Sequence, residues 1–142
     1  MKPSFRTALL IAAALLMMFG AIGYAGAVVP DLHGDLVEIG VRPTVLGGTV
    51  LYLYFSALAM FGFALMVSAA AIQTARGIPP ARIPLAIVAV IYTAFGVMAF
   101  SRSHNPHHLG LLAMGVLLGA ALAIPGPTES QPRAVAGGAP RR

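Results

Sequence analysis

The chain has no cysteine, which excludes disulfides, thiolate metal sites and thiol redox relays. It is also poor in charge. Charged residues make up 9% of its 142 residues, against about 25% in a soluble domain, too few to coat a water-facing surface. Tryptophan is absent. The most telling absence is positional: no Asp, Glu, Lys, Arg or His falls inside any of the long apolar runs. Proton-coupled pumps and drug exporters rely on an ionisable group within the membrane, and small four-helix exporters carry an acid in the first helix. The sequence therefore argues against a coupled transporter. It also lacks a phosphate loop, a nucleophile elbow, paired intramembrane carboxylates and a zinc-protease helix. Too little lies outside the apolar runs to enclose a substrate, so the expectation is a protein that is not an enzyme.

What is present is hydrophobic residue, 58% of the chain, rich in Gly and Ala. Small residues let helices approach closely in lipid, where no hydrophobic force drives helix onto helix. Four runs stand out, at about 7–29, 46–72, 83–100 and 106–124. At 1.5 Å per residue the first spans about 34 Å, enough for the hydrocarbon core of a bilayer. Pro30 and the polar stretch from Asp31 to Asp35 are expected to end it. Gln73, Thr74, Arg76 and Gly77 end the second, which is longer than needed. Gly47-Gly48 reads as a flexible helix entrance, and Tyr52, Tyr54 and Phe55 as an interfacial aromatic belt. Asn105-Pro106 is a good start for the fourth, with Asn as N-cap and Pro at the first helical position.

The predicted fold is all-α: a polytopic membrane protein whose residues 1–125 form a four-transmembrane-helix bundle, up-down-up-down with short connections. Residues 126–142 are Pro, Gly, Ala and Arg without periodicity, and read as a disordered basic cytoplasmic tail. Lys2 and Arg6 ahead of an apolar run, with the small-x-small motif Ala25-Gly-Ala27 near its end, also resemble a cleavable signal. The run is longer than a signal core, and an uncleaved first helix is expected.

The formal net charge of +5 does not point to nucleic acid, because the basic residues sit at the chain ends and connections without interleaved aromatics. It fits membrane orientation. Lys2, Arg6, Arg76, Arg82, Arg133, Arg141 and Arg142 fall on one side of four spans, and only Arg42 and Arg102 on the other. The first side is expected to be cytoplasmic, with both termini there, in a bacterial-type inner membrane. The opposite side carries Asp31, Asp35, Glu38 and all four histidines, His33, His104, His107 and His108.

A shift of 76 residues superposes Arg6 on Arg82, Phe19-Gly20 on Phe95-Gly96, Pro30 on Pro106 and Gly34 on Gly110. Because it moves the chain by two spans, it implies a duplicated helical hairpin in parallel orientation.

The outer-face histidines are the candidate chemistry. Asp31, His33 and Asp35 in the first outer connection could meet His104 and His107 in the second, and imidazole with carboxylate suits a transition metal or haem. His107 and His108 point about 100° apart on a helix, so only one could serve a given ion. The set lacks recognisable ligand spacing, and the plainer reading is that these are solvated loop residues. Ser56, Ser68, Tyr92 and Thr93 are the notable polar groups within the runs, expected to bond the preceding helical turn or a neighbouring helix. Gly115 and Gly119 form a GxxxG pattern that permits close contact within the bundle, in a homo-oligomer or in a larger membrane complex.

Two function classes follow. One is a non-enzymatic accessory or assembly component, without cofactor, acting through helix–helix contacts in the bilayer. The alternative is a redox or metal-handling protein that uses the outer histidines.

Overall fold

A computed structural model of the chain describes residues 5–106 and 108–124, and these are helical apart from short connections, with no strand among them. A continuous 34-residue helix comes first. It comprises α1 (Phe5–Gly23), a π turn (Tyr24–Val28) and α2 (Val29–Glu38). α3 (Pro43–Ala75), α4 (Arg82–Ser103) and α5 (His108–Ala123) follow. Three stretches, Phe5–Glu38, Pro43–Ala75 and Arg82–Ser103, are long and apolar enough to cross a membrane. α5 is apolar but has only 16 residues, about 24 Å of helix. The expected tail, 126–142, lies outside the described residues.

The first helix corrects the expected stop at Pro30. Asp31, His33 and Asp35 are not in a loop: they continue the helix as α2. A proline inside a helix lacks an N–H, and its ring clashes with the carbonyl four residues back, which here belongs to Gly26. The wider π turn just before Pro30 relieves that clash. Within it the Val29 N–H donates to the Tyr24 carbonyl, five residues back. The extra residue also keeps the buried seam in register. Leu10, Ala13, Ala14, Met17 and Ala21 are buried in α1 at helical spacing. The next buried residue is Val29, eight positions beyond Ala21, which a regular helix would place about 80° off the seam.

α3 begins at Pro43, the first helical position that proline favours, so Gly47-Gly48 lies inside the helix. The two short connections before α3 and after it share one solution. Gly40 (φ +74°) and Gly77 (φ +76°) take the left-handed conformation. The following N–H groups return to the helix, Val41 to Leu36 O at 3.1 Å and Ile78 to Gln73 O at 2.9 Å, the Schellman pattern that satisfies terminal carbonyls.

Packing gives a row, not a ring. α3 lies on α1, α1 on α5 and α5 on α4, while α3 and α4, consecutive in the chain, scarcely touch. Leu10, Met17, Val67, Leu85, Val88 and Leu118 are fully buried along the row. The tightest approach is between α4 and α5. A Cβ built on Gly96 would lie 2.6 Å from the Leu112 nitrogen, and one on Gly115 would lie 2.6 Å from the Thr93 nitrogen. Large apolar side chains cover the outside. Phe19, Leu51, Phe55 and Ile83 are 68–76% exposed, as expected of surfaces whose solvent is lipid.

Short connections make successive helices antiparallel, so Arg6, Arg76 and Arg82 share one end of the row. The other end is uneven. α2 touches α3 and the π turn but not α5, which α1 does touch, so the tip carrying Asp31, His33, Asp35 and Glu38 projects past the start of α5.

Candidate functional site

The histidine-and-carboxylate set is spread by the helix it occupies. Asp31 and Asp35 are one turn apart and share a face of α2. His33, two residues from each, points about 200° away. All three are exposed. His104 ends α4 in the left-handed conformation (φ 53°), with its N–H donating to Phe100 O at 2.8 Å and its ring tilted 6.2 Å from that of Phe100. His108 opens α5, which α2 does not contact. His107 lies outside the described residues. Among the described residues no three of His, Asp and Glu gather closely enough to hold a metal ion.

A second region comes from the open side of the row. Because α3 and α4 stand apart, a cleft of about 300 Å³ runs between them, floored by Tyr24 of the π turn and Leu111 of α5. Tyr24, Phe55, Phe63, Tyr92, Phe95 and Leu111 line it. Its walls carry no charge. Ser56 also lines the cleft, but its hydroxyl donates to Tyr52 O at 2.9 Å, four residues back. Ser68 does the same with Ala64 O at 2.8 Å, so both serines satisfy themselves within α3 as expected.

Tyr92 departs from that pattern. It is 4% exposed, its hydroxyl has no hydrogen-bond partner, and its ring meets Phe63 edge-on at 6.2 Å. A buried hydroxyl without an acceptor costs about 1–3 kcal/mol, and in hydrocarbon no water is at hand to relieve it. By sequence alone Tyr92 groups with the serines, as a polar residue within an apolar run. Nothing in its local pattern distinguishes it, because its surroundings depend on which two helices stay apart.

The glycine pattern on α5 divides. Gly115 is buried against Thr93 and Ala89 of α4, whereas a Cβ at Gly119 would meet nothing within 4 Å. Compared with known protein families, with curated proteins and with solved structures, the chain finds no match.

Proposed function

We propose that this is a non-enzymatic accessory component of a larger membrane complex, and that the cleft between α3 and α4 receives an apolar helix of its partner. The observation that carries the reading is the open, uncharged, aromatic-lined cleft with a buried and unpaired Tyr92 hydroxyl. A helix seated there buries apolar wall against apolar side chain and gives the hydroxyl an acceptor. Helix association in lipid depends on packing and interhelical hydrogen bonds of this kind. In this reading the chain crosses a bacterial-type inner membrane four times, with its termini and the Arg6, Arg76 and Arg82 end on the cytoplasmic side. The α1–α3 and α4–α5 pairs are the halves of a duplicated hairpin, joined on one side through α1 and α5 and left open on the other.

The absence of native cysteine makes the test clean. Single cysteines at Phe55 and Phe95, in the cleft, and at Ile11, outside it, are treated with a bifunctional cross-linker in native membranes. The expected result is one heavier species of defined mass from the two cleft positions and not from Ile11. Filling the cleft with Ala59→Trp should abolish it. A species of twice the chain mass would identify a second copy as the occupant. Equal reaction at all three positions would refute the reading.

A further inference from the structure

Arg6 lies in the first turn of α1 and is 6% exposed. Its Nε and Nη2 atoms are buried without a hydrogen-bond partner. An arginine does not escape burial by losing its proton, as a lysine can. A buried guanidinium therefore calls for a counter-ion. The acids of the first helix are out of reach. Asp31 is 25 residues further along the same helix, about 37 Å, and Asp35 and Glu38 are further still. The first turn of α1 contains no acid of its own, and its free N–H groups add a partial positive charge at the same place. Arg76 and Arg82 stand at the same end of the row. That end is basic, and its most deeply buried cation has open donors.

We infer that Arg6 is a binding site for a phosphate oxyanion, supplied in the bilayer by the headgroup of an anionic phospholipid. Guanidinium and phosphate match as a planar fork of donors to a pair of oxygens, and a residue one turn inside a spanning helix lies at headgroup depth. The side chain is closed over in the free chain, so binding has to open the first turn. The measured affinity is then the headgroup's contacts less the cost of opening.

The test uses the full-length protein in a neutral detergent. Thermal stability is followed as phosphatidylglycerol is added, with diacylglycerol and inorganic phosphate as separate probes. Phosphatidylglycerol should raise the Tm of the parent, and diacylglycerol should not. In Arg6→Gln the lipid-dependent shift should fall at least fivefold. In Arg6→Lys it should survive in part, and in Arg76→Gln, an exposed position, it should be nearly intact. A purely structural role for Arg6 makes a different forecast: Arg6→Gln would lose stability without lipid. The lipid-site assignment expects Arg6→Gln to match or exceed the parent in lipid-free micelles, because an unpaired charge has been removed. Counting bound phosphatidylglycerol on the parent and Arg6→Lys by native mass spectrometry supplies a readout that does not depend on the Gln variant folding. An undiminished lipid shift in Arg6→Gln overturns the proposal. So does Glu129→Gln removing the shift as Arg6→Gln does, which would name a carboxylate of the chain as the partner; inorganic phosphate alone reproducing the full shift would keep the oxyanion site and overturn the lipid as its source.

Discussion

Replacing Gly115 with alanine places a methyl group where α4 already stands. The new Cβ would lie 2.6 Å from the Thr93 nitrogen and 2.9 Å from the Ala89 carbonyl oxygen. These neighbours are backbone atoms, so no side-chain rotation relieves the contact. Reaching an ordinary 3.4 Å separation requires α5 to withdraw by about 0.8 Å, a gap that forfeits a quarter to a half of each dispersion contact it opens. The α4–α5 interface is an extensive one, so the loss is spread over many atoms. Overpacking of this kind costs about 1–3 kcal/mol. Against it stands the gain of about 0.5–1 kcal/mol from replacing a helix-interior glycine, leaving a net loss of roughly 1 kcal/mol at the middle of these ranges and up to about 2.5 kcal/mol. Gly119→Ala carries the gain without the clash, because nothing lies within 4 Å of its Cβ. It should be neutral or stabilising. The assay is reversible unfolding in mixed micelles, with the two variants measured side by side. A Gly115→Ala protein as stable as the parent, or a Gly119→Ala protein that loses as much, would refute the packing argument and favour an oligomer seam that uses both glycines.

Other predictions follow the same physics. Gly77→Ala forces a Cβ into the left-handed region and should cost about 1 kcal/mol in the same unfolding assay, with no effect on which helices pair. Tyr92→Phe removes an unsatisfied hydroxyl, so the isolated chain should be unchanged or more stable, while the cross-linked complex from the Phe55 position should weaken. His33→Ala should stay within about 0.5 kcal/mol of the parent, as for an ordinary exposed site, and metal analysis of the parent should show no ion near one equivalent that His33→Ala removes. A reporter active only in the cytoplasm, inserted after Gly77, should be active, and one inserted at Gly40 should be silent. Activity at Gly40 would reverse the assigned orientation.

The helices were legible because an apolar run of spanning length has few alternatives: the runs at 46–72 and 83–100 fall within α3 and α4. Pro30 misled because a stop signal is read locally, whereas the π turn that carries the chain past it involves a hydrogen bond reaching back to Tyr24. The histidine cluster depended on that stop. Once α2 is helical, the two-residue spacing of Asp31, His33 and Asp35 separates side chains that a loop could have gathered. The row arrangement was not legible at all. A helix apolar on every face, as α3 is, carries no stripe to say which neighbour it takes, and so neither the cleft nor the unpaired Tyr92 hydroxyl could be foreseen. Gly115 and Gly119 are equivalent letters in a pattern, and only the position of α4 makes one a contact and the other open.

The π turn has a consequence for how the molecule can change. It is the irregular step in a first helix that is otherwise continuous from Phe5 to Glu38. Deleting Gly26 would convert it to an ordinary turn, with Pro30 again pressed against a carbonyl. Inserting one residue after Pro30 would instead swing the rest of α2, with Asp35 and Glu38, by about 100° around the axis, while the seam below from Leu10 to Ala21 stays in place. The projecting acidic tip can therefore be re-aimed by single-residue changes in length, leaving the membrane-facing part of the same helix undisturbed.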